Sequence, residues 1–427
     1  MSEDLDKILA FRQYVLKNIS LDRIELLKND YPGLMREVLE ELSAAGNDIG
    51  HYLSSRETAM LSEMITDEIV GYGPLRELME DETVSDILVN GPTSIFVERG
   101  GKLEAVDKYF INNEQLTDIA RRLVGKVGRR VDDSQPLVDA RMPDGSRLNV
   151  VIAPVALDGA SISIRKFGKG KKSLVDLINY GSISEAMANF LVIASRSRVN
   201  IIVSGGTGSG KTTLLNALSQ YIGADERVLT LEDAAELRLQ QPHVVRLETR
   251  MAGSENQGMV TMRHLVVNAL RMRPDRIIVG ECRGEEAFEM LQAMNTGHDG
   301  SMSTLHANNP RDAVARLESM VMMSSAALPL TAIRRNISSA VNIIVQASRL
   351  PDGSRKVTHI TEVMGMEGDN VVLQDIFTYE VKSVRSEDGK IEGEFHNHGL
   401  LKRSSVYNHA NMYGLTEHLN QIFAMPG

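Results

Sequence analysis

Hydrophobic residues near the amino end of the chain recur every three or four positions, which is the period of an α-helix. Such stripes cover residues 5–19, 34–42 and 60–69. They predict helices, and we expect residues 1–56 to form an N-terminal helical bundle. Gly46 and Gly71 stand where the second and third of these helices are expected to end. The stripes favour an ordinary small core, although a module that docks a partner has the same pattern.

After Gly71 the apolar stretches become short and are separated by turn residues, which is typical of β-strands. Strands are predicted at residues 86–90, 94–98, 147–152 and 161–164, with a helix at 116–127 between them. This pattern predicts a small α+β domain over residues 57–167. The glycine- and lysine-rich residues 168–172 favour a flexible linker, which we place at residues 168–180.

From Ile183 onward, helical and strand patterns alternate, which predicts an α/β domain with a parallel sheet. Strands are expected at residues 199–204, 227–232, 244–247, 276–280, 301–306 and 342–347. This core is placed at residues 181–348, and residues 349–427 are predicted to form a hairpin and a tail, with the turn at residues 351–354. The letters PDGSR of this turn also occur at residues 143–147. Two similar turns are a sufficient explanation.

Composition narrows the class of protein. The 427 residues carry a net charge of −10, and aromatic residues make up 4% of them. Nucleic-acid-binding domains usually present basic faces, so no nucleic acid is expected as a partner. Cys282 is the single cysteine, which fits a reducing compartment. The first residues are acidic and no apolar run approaches the length of a membrane span, so we expect a cytoplasmic protein.

A glycine-rich motif in the middle of the chain carries the clearest chemistry. Residues 205–212 match G-x-x-x-x-G-K-[ST], between an apolar strand and an amphipathic helix. Such a loop holds phosphate groups with backbone N–H groups and a helix N-terminus. The sequence therefore predicts that a nucleoside triphosphate is bound by Gly205, Gly206, Thr207, Gly208, Ser209, Gly210, Lys211, Thr212 and Thr213. Lys211 supplies charge near the β- and γ-phosphates, and the hydroxyl of Thr212 is a ligand for Mg²⁺.

A second apolar strand ends in a carboxylate, in the sequence Arg-Ile-Ile-Val-Gly-Glu of residues 276–281. This is the Walker B pattern, except that Gly280 takes the position at which a metal-binding aspartate is usual. Glu281 is therefore expected to serve Mg²⁺, the attacking water, or both. Cys282 beside it is expected to be a small buried residue rather than a nucleophile.

Two further groups follow apolar strands. Glu232, Asp233 and Glu236 form an acidic set that either belongs to the site, as strand ends in such sheets often do, or begins a solvated helix. His298 and His306 lie eight residues apart around the strand after Walker B. A zinc site is not expected, because no cysteine or histidine cluster accompanies them. They are either structural or sensors of the phosphate state.

These four segments, in this order, resemble the Walker A, Asp box, Walker B and His box of the ATPases of type II and type IV secretion and of type IV pili. The resemblance runs from about residue 69 to residue 377. Residues 128–132, 138–149 and 163–167 are similar to the CpaF/TadA branch, which powers tight-adherence pili. The resemblance implies a RecA-like core, a homo-hexameric ring and ATP with Mg²⁺ as cofactors. It also implies that Arg141, Arg147 and Arg165 of the preceding domain reach the phosphates, the alternative being hairpin surface charge.

The expected function is a motor ATPase that powers assembly of a tight-adherence pilus through an inner-membrane platform protein. A type IV secretion traffic ATPase that drives substrate export is the close alternative. A nucleic-acid translocase and a regulatory GTPase are weaker, since the chain has no tryptophan to stack bases and no Asn-Lys-x-Asp guanine motif. Residues 1–56 contain none of the site motifs, so their deletion is expected to spare hydrolysis.

Overall fold

The computed structural model of the chain describes residues 2–27, 30–167, 172–239, 241–250, 258–324, 328–385 and 387–424. The chain divides into two units, Met1–Lys169 and Gly170–Gly427. Residues 168–171, the greater part of the predicted flexible linker, lie outside the described residues.

The first unit begins with helices and continues with an antiparallel sheet. Its elements are, in chain order, α1 (Ser2–Asn18), α2 (Leu21–Leu27), α3 (Tyr31–Ile49), α4 (Ser55–Val70), a 3₁₀ turn (Gly73–Leu75), α5 (Arg76–Glu80), β1 (Val84–Asn90), β2 (Ile95–Arg99), β3 (Lys102–Ala105), α6 (Asn113–Gly125), β4 (Leu137–Arg141), β5 (Arg147–Val151) and β6 (Ser161–Arg165). The strands lie in the order β3-β2-β1-β6-β5-β4. One face of this sheet packs against α6 through Leu116, Ile119 and Leu123.

The helical bundle is larger than the sequence pattern predicts. Leu61 and Ile65 of α4 belong to the same buried cluster as Phe11 of α1 and Leu34 of α3. The predicted boundary at residue 56 is therefore wrong, because it falls inside α4, which the capping box of Ser54 and Glu57 starts two residues earlier.

The predicted end of the second helix at Gly46 is also wrong, while Gly71 ends α4 as expected. Helix α3 continues to Ile49 and is capped by Gly50, whose φ of 74° suits glycine. Gly46 lies inside the helix, where an added Cβ would come within 3.3 Å of the carbonyl oxygen of His51. Close packing, rather than helix termination, accounts for this glycine.

A buried ion pair within the bundle is also hydrogen-bonded to the sheet domain of the first unit. The side chain of Glu68 on α4 is fully buried, and Arg12 of α1 donates to both of its oxygens, at 2.8 and 2.6 Å. The side chain of Gln115 on α6 donates to the same carboxylate at 2.8 Å. Removing residues 1–56 would take away Arg12 together with the helices that cover Leu61 and Ile65 of α4, so it would break the ion pair and expose apolar surface. Residues 1–56 are therefore a structural part of the first unit, and the expectation that their deletion spares hydrolysis stays a prediction.

The second unit alternates helices and strands and adds a long antiparallel extension. Its elements are α7 (Leu174–Asn179), α8 (Glu185–Arg196), β7 (Ile201–Gly205), α9 (Lys211–Ser219), β8 (Val228–Glu232), β9 (Val244–Glu248), α10 (Met262–Ala269), β10 (Arg276–Val279), α11 (Glu286–Asn295), β11 (Met302–Leu305), α12 (Pro310–Ser324), α13 (Leu330–Ala340), β12 (Ile343–Arg349), β13 (Arg355–Glu367), β14 (Asn370–Val384), β15 (Ile391–Asn397), α14 (Ser405–Met412) and α15 (Thr416–Ala424).

The strands of this unit lie in the order β15-β14-β13-β12-β7-β11-β10-β8-β9. From β12 to β9 all neighbours are parallel, and separate apolar clusters cover the two faces. The predicted α/β fold with a parallel sheet is confirmed. No helix in the described ranges is both long and apolar enough to cross a bilayer.

The ends of this unit differ from the predicted domain limits. The hairpin at residues 351–354 forms as expected, but β13, β14 and β15 continue the same sheet. Helices α14 and α15 bury Val406 and Leu419 in the cluster that contains Phe190 of the core. A boundary at residue 348 is therefore wrong. The predicted linker likewise includes α7, whose Leu174 is part of the same cluster.

We predict that replacing Arg12 with methionine lowers the free energy of unfolding by about 3 kcal/mol, because it strands the buried carboxylate of Glu68. The matched control is Arg23→Met, which removes an exposed ion pair with Glu37 and should change stability by less than about 1 kcal/mol. Urea unfolding of the full chain measures both. Equal effects of the two variants would contradict the structural role of the buried pair.

Candidate active site

The phosphate loop leaves the sheet at the end of β7, a central and fully buried strand. Residues 205–210 connect it to α9, which starts at Lys211, with Thr212 and Thr213 in its first turn. Gly208 and Gly210 have φ values of 69° and 97°, a region that side chains avoid. The structure thus places all the predicted loop residues between a strand end and a helix N-terminus, which is the arrangement that binds phosphate.

Two contacts hold the loop in this shape. A Cβ on Gly205 would lie 2.3 Å from the carbonyl oxygen of Ala347 on the adjacent strand β12, so only glycine fits there. The ammonium of Lys211 donates to the carbonyl oxygens of Gly205 and Gly206, both at 2.9 Å. Burial lowers the pKa of Lys211, and the charge of Glu281 opposes that shift. The ammonium of Lys211 is therefore held over the loop by two carbonyl oxygens. Phosphate oxygens would compete with these carbonyl oxygens for its hydrogen bonds.

Glu281 lies at the same edge of the sheet, directly after β10. The Nε atom of Arg283 donates to one of its oxygens at 2.7 Å. Nε2 of His306, which follows β11, lies 2.9 Å from the other oxygen, at ion-pair distance. Burial lowers the pKa of His306, and the charge of Lys211 acts in the same direction. The structure therefore brings Glu281 and His306 together. Each follows the end of a strand, β10 and β11 respectively.

The glycine at the Walker B position has a steric reason. Val279 pairs with Leu231 of β8, so Gly280 lies beside Glu232, and an added Cβ would come within 2.7 Å of the Cγ atom of Glu232. One oxygen of Glu232 accepts the amides of Glu236 and Leu237, at 2.8 and 2.9 Å. Glu232 therefore occupies the space that an aspartate at position 280 would need.

The second oxygen of Glu232 is buried and has no hydrogen-bond partner among the described residues. Burial raises the pKa of this carboxyl group, although the two backbone amides oppose the shift. Residues 233–239 do not form a helix, so the alternative of a solvated helix start is wrong. Glu236 is half-buried, and its backbone amide closes the turn that Glu232 organises.

An arginine that the sequence analysis missed links the two acidic segments. Arg283 donates to Glu281 and, through Nη1, to Asp233 at 3.3 Å. The sequence shows Arg283 two residues after the Walker B carboxylate. It does not show the contact with Asp233, which follows strand β8 50 positions earlier in the chain. Arg283 therefore holds the carboxylate of Glu281 against the acidic segment after β8.

His298 does not belong to this edge of the sheet. Strand β11 runs parallel to β7, with Met302 beside Ile201 and Leu305 beside Ser204. His306 therefore follows the strand on the side of the phosphate loop, whereas His298 precedes it at the opposite edge. The oxygen of its backbone accepts the hydroxyl of Ser301 at 2.7 Å. His298 therefore lies away from the phosphate loop of its own unit, and this place in the fold favours the structural role over the sensing one.

The predicted arginines form a row on the sheet of the first unit. Arg147 pairs in register with Arg141 of β4 and with Arg165 of β6. Their neighbours Leu148 and Ile164 are buried in the core, so the arginines lie on the other face of the sheet. Arg165 also donates to Asp86 at 3.0 Å. The structure thus brings the three predicted arginines together, although they are up to 24 positions apart in the chain.

The side chains at the sheet edge that carries the phosphate loop suit Mg²⁺ shared with a nucleotide. They suit a metal bound only by protein side chains less well. Mg²⁺ uses oxygen ligands and usually takes one or two carboxylates together with substrate phosphates and water. Here the hydroxyl of Thr212 and the carboxylate of Glu281 would supply such oxygens, and Glu232 ends the neighbouring strand β8 with one buried, unpartnered oxygen. Within the described ranges, no group of three or more His, Cys, Asp or Glu residues is arranged to hold a metal ion.

Comparison with known proteins agrees with this arrangement. Residues 68–387 match the model of the type II/IV secretion system protein family. The chain is 37% identical over 322 residues to a putative conjugal transfer protein of Mycobacterium tuberculosis, covering 74% of this chain and 91% of that protein. It is 30% identical over 325 residues to the type IV secretion system protein VirB11 of Bartonella quintana, covering 67% of this chain and 90% of that protein.

Among solved structures, the VirB11 ATPase of the Brucella suis type IV secretion system, in complex with sulphate, is 29% identical. The matched region covers 68% of this chain and 96% of the VirB11 chain, with a TM-score of 0.37. The family model covers most of the chain, and it includes the phosphate loop and the carboxylates described above. The chain therefore belongs to the type II/IV secretion system protein family, and it is an ATPase.

We predict that Gly280→Ala lowers both stability, by about 1–3 kcal/mol, and ATP turnover, at least about tenfold, because the new methyl group displaces the anchored side chain of Glu232. Gly125→Ala is the control, since an added Cβ there meets nothing within 4 Å. Thermal unfolding and steady-state hydrolysis measure the two effects. If Gly280→Ala has the stability and the turnover of the wild type, the side chain of Glu232 tolerates the methyl group and the steric explanation is wrong.

Proposed function

We propose that this protein is a motor that hydrolyses MgATP to power the assembly of a tight-adherence type IV pilus. The observation that carries the catalytic part is the placement of Glu281 at the same sheet edge as the phosphate loop, with His306 and Arg283 on its two oxygens. The pilus branch rests on the sequence of residues 128–132, 138–149 and 163–167.

In this proposal the residues of the loop hold the substrate. The amides of residues 206–212 and the ammonium of Lys211 bind the β- and γ-phosphates, and Thr212 and Glu281 supply oxygens to Mg²⁺. Bound Mg²⁺ neutralises charge that develops on the phosphates. Glu281 orients the attacking water and accepts its proton, while Arg283 holds one oxygen of the carboxylate by a hydrogen bond and His306 lies 2.9 Å from the other. Glu232, with its unpartnered oxygen, and Glu236 support this group from the neighbouring strand.

The arginine row completes the catalytic group. Like charges in facing positions of neighbouring strands repel each other, so a row of Arg141, Arg147 and Arg165 suits a polyanionic ligand. We propose that these arginines reach the γ-phosphate bound by the same subunit. An arginine acting there accelerates phosphoryl transfer by about 10³- to 10⁵-fold.

We further propose a cytoplasmic homo-hexamer that acts on an inner-membrane platform protein. The net charge of −10 is unfavourable for a translocase on nucleic acid, which we therefore do not expect as a partner. A type IV secretion traffic ATPase is the second candidate. It is favoured by two of the relatives, which are a putative conjugal transfer protein and a type IV secretion system protein, VirB11.

Glu281→Gln is expected to bind MgATP with nearly wild-type affinity and to hydrolyse it at least about 100-fold more slowly, because the amide cannot accept a proton. Glu236→Gln is the matched variant and should be the milder of the two. Nucleotide titration and steady-state turnover measure these effects. A larger loss of turnover in Glu236→Gln would mean that the general base is Glu236, after β8, and that its assignment to Glu281, after β10, is wrong.

The same Glu281→Gln change in the producing cell separates the candidate machines. A pilus motor predicts loss of surface pili with normal export of secretion substrates, and a traffic ATPase predicts the reverse. Testing purified protein with ATP, GTP and single-stranded DNA separates the remaining classes. Preference for GTP, or stimulation by the DNA, would contradict the proposed motor.

Mixed hexamers test whether the arginines act in their own subunit. Lys211→Ala subunits are mixed with subunits that carry both Arg147→Ala and Arg165→Ala. Each subunit then lacks one half of its site, so activity should stay below about a tenth of wild type if the arginines act in cis. Mixing wild type with each variant verifies that subunits exchange. Substantial recovery would mean that the arginines reach a neighbour's phosphates, as fingers supplied in trans do.

A further inference from the structure

A seven-residue hairpin occurs twice in this chain, once in each unit. Residues 141–147 and 349–355 both read R-x-P-D-G-S-R, and they differ only at the second position, Met142 against Leu350. The first copy joins β4 to β5, and the second joins β12 to β13. The first copy contains Arg141 and Arg147 of the arginine row, and the second copy contains Arg349 and Arg355 at the equivalent positions.

The two copies have the same backbone geometry. In each, the serine amide donates to the aspartate side chain at 2.9 Å, and the residue after the first arginine donates its amide to the serine carbonyl at 2.8 Å. The glycines have φ values of 92° and 86°. Consequently Arg141 faces Arg147, and Arg349 faces Arg355, in register across the strands. The hairpin is a local structure that places two arginines opposite each other in neighbouring strands.

The second arginine pair lies against the phosphate loop of its own unit. Strand β12 is a parallel neighbour of β7, with Ala347 beside Gly205. The Nε atom of Arg355 donates to the carbonyl oxygen of Gly208 at 2.8 Å. A Cβ on Gly208 would lie 3.5 Å from Nη1 of Arg349, and one on Gly210 would lie 3.5 Å from Cδ of Arg355. Both arginines are exposed.

We propose that Arg349 and Arg355 bind the phosphate chain of the nucleotide held by residues 205–213. Guanidinium groups match phosphate oxygens in bidentate geometry and form charge-assisted hydrogen bonds with them. The inference rests on the assignment of residues 205–213 as the nucleotide site.

This second pair differs in role from the arginines of the first unit. It belongs to the unit that carries the loop and is tied to it through the bond to Gly208. It therefore contacts ATP and ADP alike, and it contributes to binding rather than to the chemical step. Loss of such a contact raises KM and leaves kcat nearly unchanged, because the contact is equal in the ground state and the transition state.

The test measures binding of MgATP, MgADP and adenosine to the full-length protein by calorimetry. Arg349→Met and Arg355→Met should each weaken both nucleotides about 10- to 100-fold, leave adenosine unchanged and raise KM with little change in kcat. Arg349→Lys should retain most of the affinity, because it keeps the charge. The control is Arg385→Met, which removes an exposed charge that is already paired with Asp388 and Glu392 at the β14–β15 turn.

Lys211→Ala, measured in parallel, separates the two possible failures. If it leaves nucleotide binding intact, the assignment of the loop itself is wrong. If it abolishes binding while both methionine variants behave like Arg385→Met, only the arginine inference is overturned. An effect of Arg355→Met without one of Arg349→Met would mean that Arg355 supports the loop and that no phosphate-binding pair exists. An equal loss of adenosine affinity would likewise overturn the inference, since it reports damage to the fold.

Discussion

The register of the parallel strands β8, β10, β11, β7 and β12 is the constraint on which the candidate site depends. Val279 lies beside Leu231, and Leu305 lies beside Ser204, so these strands end at a common edge of the sheet. They are buried on both faces, and a slip in register would leave those apolar contacts unmade. Because the register is held in this way, loop segments that are distant in the chain meet at fixed positions.

Charge pairing then decides how the strand ends interact. Cationic groups, Lys211 and Arg283, alternate with the carboxylates Glu281 and Asp233 along that edge. Glu232 is held by backbone amides, and the neighbouring position 280 has to be glycine for that reason. The site is thus a set of mutually restrained polar groups, in which Glu281 is largely buried while Arg283 and Asp233 are open to solvent.

Several features could be predicted from local sequence alone. The phosphate loop depends on glycines and a lysine that are adjacent in the chain, and the twin hairpins depend on Asp, Gly and Ser within a few positions. The α/β class followed from hydrophobic periodicity. Domain limits at residues 56 and 348 were wrong because Leu61 of α4 and strand β13 are held by packing partners that lie far away in the chain.

The sequence by itself determined the phosphate loop, the alternation of strands and helices and the turns that set arginines in pairs, because each of these depends on neighbouring residues. Only the tertiary structure decided which carboxylates and arginines meet. It separated His298 from His306 across the sheet, gave Glu281 its partner Arg283, and buried Glu68 against Arg12. Strand order and register create these contacts, and both are properties of the packed core rather than of any local segment.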